Sequence, residues 1–95
     1  MSAQRDLWVF AYDIASDRAR ARVGDVLEQR LARVQLSLFE GRLTRAQALA
    51  IIADIRPMLD DGDKLRVYRV ELDLPDACIA VGGAPPPEQQ EFWLL

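Results

Sequence analysis

Asp13 closes an apolar run, Leu7-Trp8-Val9-Phe10-Ala11-Tyr12, and Arg18, Arg20 and Arg22 follow closely behind it. Further on, Arg33-Val34-Gln35 leads into Ser37-Leu38-Phe39-Glu40-Gly41. A carboxylate at a strand end, guanidinium groups just after it and a polar-apolar strand beside both could hold a divalent cation against a phosphodiester backbone. The chain has no histidine, which removes the commonest general base and the usual zinc or copper ligand. A metal site built from carboxylate and carbonyl oxygens favours magnesium or manganese. Hydrolysis at such a site would rest on metal-bound hydroxide rather than on a side-chain base.

The net charge of -3 argues against a nucleic-acid binder until it is divided along the chain. Residues 1–17 carry one arginine and three aspartates, net -2. Residues 18–45 hold seven arginines against Asp25, Glu28 and Glu40, net +4, whereas residues 46–95 hold four bases and nine acids, net -5. Positive charge therefore collects where the candidate motif lies. Eleven of the twelve bases are arginine, the side chain whose fork matches phosphate oxygens, although a high-GC genome would give the same bias.

Ninety-five residues make one small domain that buries only ~60–65% of its unfolded surface, so association of subunits is expected. No apolar run approaches the ~20 residues of a membrane span, and charged Arg5 and Asp6 precede only a short apolar stretch, unlike a signal peptide. A cytoplasmic protein is expected. The single cysteine, Cys78, excludes an intrachain disulfide and reads as a small packing residue.

The elements that must position these residues follow from periodicity. Residues 7–12 are apolar on both alternating faces, as in a central strand covered on both sides. Ser16 or Asp17 can cap a helix running to Leu31, with Val23, Val26, Leu27 and Leu31 on one stripe. Val34 to Phe39 alternates as a second strand, with a turn at Gly41 and a short extended piece at Arg42-Leu43. Thr44 and Gln47 form a capping-box signature for a helix with Leu49, Ile52, Ala53 and Leu59 on its inner face, weakened by Pro57 and ended by Asp60-Asp61-Gly62. Leu65 to Leu72 is the last core strand.

This order is that of an α+β, ferredoxin-like βαββαβ sandwich with both helices on one sheet face. The other face would be apolar and bare, which a homodimer packed sheet to sheet would resolve. The core domain is expected over residues 1–72. Residues 73–95 would supply a C-terminal strand near Ala77–Val81, a Pro-rich linker and the apolar tail Phe92-Trp93-Leu94-Leu95, which docks within the dimer or on a partner, or frays.

Tyr12-Asp13-Ile14, Asp17-Arg18 with its further arginines, Arg33-Val34-Gln35, Ser37-Leu38-Phe39-Glu40-Gly41 and Leu65-Arg66-Val67-Tyr68, in this order and spacing, resemble the CRISPR-associated protein two family. The resemblance implies a homodimer that joins an integrase, CRISPR-associated protein one, in capturing and integrating new spacer DNA. Family members are also described as magnesium-dependent endonucleases acting on single-stranded RNA or duplex DNA. Carried over, Asp13 is the catalytic residue and the Mg2+ (or Mn2+) ligand, and a dimer brings two copies of it near the two-fold axis. Arg18, Arg20, Arg22 and Arg33 hold nucleic acid, and Tyr12, Ser37 and Phe39 lie beside the site.

The residues alone leave alternatives open. Asp13 could simply cap the turn after the first strand, and Tyr12 and Phe39 suit a core better than a base-stacking platform. The chain could also be a ferredoxin-like module for a small regulatory ligand or for RNA, although the RNA version needs exposed aromatics on central strands.

Overall fold

The computed structural model describes residues 4–70 and 79–82. Its elements are β1 (Arg5–Asp13), α1 (Asp17–Glu28), β2 (Ala32–Gln35), β3 (Leu38–Thr44), α2 (Arg45–Ile55), a 3-10 turn at Arg56–Met58, and β4 (Lys64–Val70). The four strands form one antiparallel sheet in the order β2-β3-β1-β4. This is the ferredoxin-like arrangement expected from the element order.

Strand register decides which residues face which side. Phe10 stands opposite Phe39 on one edge of β1 and Val67 on the other. Because side chains alternate along a strand, Trp8, Phe10 and Tyr12 share the helix-covered face with Phe39, Leu43, Leu65 and Val67. Phe10 and Phe39 are fully buried there, with Val23 and Leu27 from α1 and Ile55 from α2. Each such side chain removed from water contributes about 1.5–3 kcal/mol. The opposite face carries Val9 between Glu40 and Tyr68, Ala11 between Leu38 and Arg66, and Asp13 beside Lys64. Tyr68 is 55% exposed.

The helices start where their caps dictate. Ser16 Oγ accepts from the Ala19 amide at 3.2 Å, so Ser16 rather than Asp17 caps α1. Thr44 and Gln47 close the expected capping box, with the Gln47 amide donating to Thr44 Oγ1 at 3.1 Å and the Thr44 amide to Gln47 Oε1 at 2.9 Å. After Ile55 the chain tightens into the 3-10 turn that contains Pro57, which has no amide hydrogen to continue the helix.

Several features differ from those expected. α1 ends at Glu28, and Leu31 reaches the core from the connection that follows. The hairpin turns at Leu36-Ser37, not at Gly41. Gly41 is a buried β3 residue opposite Trp8, whose indole Nε1 donates to the Leu43 carbonyl at 3.1 Å. Gly41 therefore lies inside a paired strand and marks no turn. On α2 the buried stripe is Ala48, Ile51 and Ile55, while Leu49 is 50% exposed. Both stripes of that helix are apolar, so spacing alone could not choose between them. The division expected at residue 72, Cys78, the linker and the apolar tail lie outside the described residues. Of the expected C-terminal strand, residues 79–81 are described and have no strand structure.

The buried stripe of α2 gives a direct check by urea unfolding. Ile55→Ala should lower stability by about 2–5 kcal/mol, whereas Leu49→Ala should shift it by no more than about 0.5 kcal/mol.

Candidate functional site

β1 delivers two adjacent residues to opposite sides of the sheet: Tyr12 is buried on the helix side and Asp13 is exposed on the other. The turn after Asp13 is held by other groups. Asp63 Oδ1 accepts from the Ala15 amide at 3.2 Å, and its Oδ2 accepts from the Asp60 amide at 2.9 Å. Asp63 thus ties the loop before β4, where Gly62 adopts φ 87°, to the loop that follows β1. Asp13 itself makes no side-chain hydrogen bond or ion pair among the described residues. Capping is done by Asp63 and Ser16, which leaves the Asp13 oxygens available to a ligand.

On the helix side, Tyr12, Asp17, Arg20, Ala21, Arg33, Leu36 and Ser37 line a shallow pocket of about 590 Å3. It brings together four of the residues singled out from the sequence: Tyr12, Arg20, Arg33 and Ser37. Arg20 Nη1 donates to the Ile14 carbonyl at 2.8 Å, and its Nη2 pairs with Asp17 one turn earlier on α1. Arg18 and Arg22 are exposed on α1 and Asp13 points from the other sheet face, so none of these three lines the pocket.

Arg33 is held on several sides. Its Nε and Nη2 both donate to Glu28 Oε1, at 3.1 and 2.7 Å, and its Nη1 donates to the Leu36 carbonyl. The guanidinium carbon lies 4.6 Å from the Phe39 ring centroid, a cation-π interaction. Phe39 in turn stacks on Tyr12, with centroids 6.2 Å apart and planes at 24°. The Tyr12 hydroxyl also donates to the Leu36 carbonyl, at 3.3 Å. Hydrogen bonding to Glu28, opposed in part by desolvation, pushes the Arg33 pKa above its already high ordinary value. Phe39 is therefore a core residue that also forms the floor under Arg33.

Glu28, Gly24 and Asp63 belong to this arrangement and were not among the residues singled out from the sequence. The signal for Gly24 was present, since a glycine in the middle of a helix costs about 1 kcal/mol against alanine and often marks a close approach. Glu28 and Asp63 had no comparable local signal.

A hard cation fits the site only in a restricted sense. Among the described residues no three potential ligands of the His, Cys, Asp or Glu type come together. Asp13 offers one exposed carboxylate, and magnesium retains several waters and accepts one or two carboxylates. One chain therefore offers a single carboxylate where a hydrated ion would bind.

A profile of the family described as CRISPR associated protein Cas2 matches residues 6–73, nearly the whole of the folded core. The chain belongs to the CRISPR-associated Cas2 family. A relative from Chloroflexus aurantiacus named CRISPR-associated endoribonuclease Cas2 1 is 29% identical over 91 residues, covering 93% of this chain and 98% of that one. Among solved structures, the hypothetical protein TT1823 from Thermus thermophilus superimposes with a TM-score of 0.72 at 32% identity, covering 86% of this chain and 98% of its own. A chain from a partial Cas6-RT-Cas1–Cas2 complex shares the fold with a TM-score of 0.68 at 22% identity, over 88% of this chain and 92% of that chain. Membership in the Cas2 family replaces the sequence-level alternative of an unrelated ligand-binding or RNA-binding module. Among the described residues no helix is long and apolar enough to cross a membrane.

The two aspartates flanking this site should separate in an unfolding experiment. Asp63→Ala should lower stability by about 1–3 kcal/mol, because two backbone amides lose their acceptor. Asp13→Ala should change it by no more than about 0.5 kcal/mol.

Proposed function

We propose that this Cas2 chain is a subunit of a CRISPR adaptation complex, a homodimer that holds nucleic acid for an integrase and cleaves it slowly with magnesium. The observation that carries the reading is Asp13: an exposed carboxylate with free oxygens, at the end of the central strand and on the sheet face away from both helices. Two copies packed through that face would bury Val9, Ala11 and Tyr68 and bring two Asp13 carboxylates to one seam. The element order of the sheet and the apolar residues on this face support such a dimer.

Within it, each residue has a separate task. Asp13 would hold the magnesium ion, which when bound supplies an activated water and offsets charge on the phosphate. Arg18 and Arg22, exposed on α1, would follow the backbone by charge alone, and the pocket arginines Arg20 and Arg33 would fix individual phosphate oxygens. Tyr12 and Phe39 hold the shape of that pocket from beneath, and Ser37 offers a hydroxyl at its wall. Without histidine the chain lacks the commonest general base, so turnover should be slow and holding the nucleic acid would be the more demanding role. Three findings support Cas1 as partner and RNA as substrate. They are family membership, the endoribonuclease name of the Chloroflexus relative and the Cas1–Cas2 assembly whose chain shares this fold.

Cleavage of single-stranded RNA and duplex DNA, with and without magnesium, should be compared for the wild-type chain and Asp13→Ala at matched dimer mass. Loss of cleavage in the variant alone would support Asp13 as the metal ligand. Equal cleavage in both would remove it. Charge reversal at Arg18 and Arg22 should weaken binding of duplex DNA and flatten its salt dependence by about 0.9 for each phosphate that is no longer neutralised.

A further inference from the structure

Arg33 sits in a slot whose walls belong to α1. A Cβ built on Gly24 would lie 2.9 Å from Arg33 Nη2 and 3.4 Å from the Tyr12 hydroxyl. Glu28, one turn further along the same helix, takes the Nε and Nη2 donors with a single oxygen. Leu36 takes one donor from Nη1, and Phe39 lies under the plane. Three of the five N–H groups of the guanidinium are thereby used, the Tyr12 hydroxyl is a further hydrogen-bonding neighbour, and at least one N–H remains. The group lines the pocket it shares with Arg20 and Ser37.

We infer that Gly24 and Glu28 are positioning residues: they hold the Arg33 guanidinium against the Phe39 ring with a remaining donor available to a phosphodiester oxygen in the pocket. The inference rests on the reading that Arg33 meets a nucleic-acid phosphate. A long side chain fixed in advance loses less freedom when it binds, so its hydrogen bonds are better used. The glycine is required by the guanidinium and not by the helix, because alanine is the better helix former. The atom an added methyl would meet is the mobile end of a side chain. The fold therefore tolerates the methyl group while the guanidinium is displaced.

The sign of the Glu28 effect makes the inference testable. Glu28 is an acid beside a candidate polyanion site, so removing it should strengthen DNA binding if only net charge matters. If Glu28 positions Arg33, removing it should weaken binding instead. Binding of a labelled DNA duplex would be measured through a salt titration for the full-length wild type, Arg33→Ala, Gly24→Ala, Glu28→Ala, Glu28→Gln and the Gly24→Ala/Arg33→Ala double variant. Thermal unfolding would confirm that each is folded.

Arg33→Ala should flatten the log-log salt slope by about 0.9, the change expected when one phosphate goes unneutralised. Gly24→Ala and Glu28→Ala should move the slope the same way, and Glu28→Gln, which keeps an acceptor oxygen, should recover part of the effect. The double variant should bind no more weakly than Arg33→Ala alone, because Gly24 acts through that side chain. Tighter binding by either Glu28 variant, or additive effects in the double variant, would overturn the inference while leaving Arg33 as a phosphate ligand. Unchanged binding by Arg33→Ala would overturn both.

Discussion

β1 is paired on both edges in an unbroken register, and the placement of the remaining residues depends on that pairing. With Phe10 fixed between Phe39 and Val67, alternation sends Tyr12 into the core and Asp13 to the outer face. A slip of one residue would exchange the two sides along the whole strand. It would place a carboxylate in the core and expose a phenylalanine. The buried Phe10 and Phe39 side chains make such a slip costly, and so the position of Asp13 is set by residues that take no part in chemistry.

The second device is the arrangement around Arg33. α1, β1 and the β2–β3 hairpin meet at this point, through Glu28, Tyr12 and the Leu36 carbonyl. Phe39 joins this device to the first, since its ring lies opposite Phe10 in the register and under Arg33 in space. A rigid apolar core thereby carries a fixed cation close to its surface. The sheet separates this cation from the Asp13 carboxylate. A phosphate backbone touching both would have to run around the sheet edge or engage them in different subunits of a dimer.

Much of this is legible in the residues. The strand-helix-strand-strand-helix-strand order follows from apolar periodicity, and the second helix start from Thr44 and Gln47, because capping chemistry is local. The clustering of arginines in residues 18–45 identifies the charged region. The features that escape depend on partners distant in the sequence. Gly41 reads as a turn because only pairing across the sheet, with Trp8 opposite, shows that a strand runs through it. The inner stripe of α2 is ambiguous in the sequence because both of its stripes are apolar, and only tertiary packing selects Ala48, Ile51 and Ile55. Asp63 shows no local sign of holding a loop forty-eight residues earlier in the chain.

The sequence by itself determined the element order, the capping box of the second helix, the absence of histidine chemistry and the position of Asp13 at a strand end. These follow from nearest-neighbour preferences, periodicity and composition, which need no partner. Tertiary structure alone decided that Tyr12, Arg20, Arg33 and Ser37 share a pocket, that Asp13 lies on the opposite face, and that Glu28 and Gly24 fix Arg33. The physical reason is that a guanidinium is directed by whatever acceptors and rings surround it. Here those groups come from a helix, a central strand and a hairpin that only folding brings together.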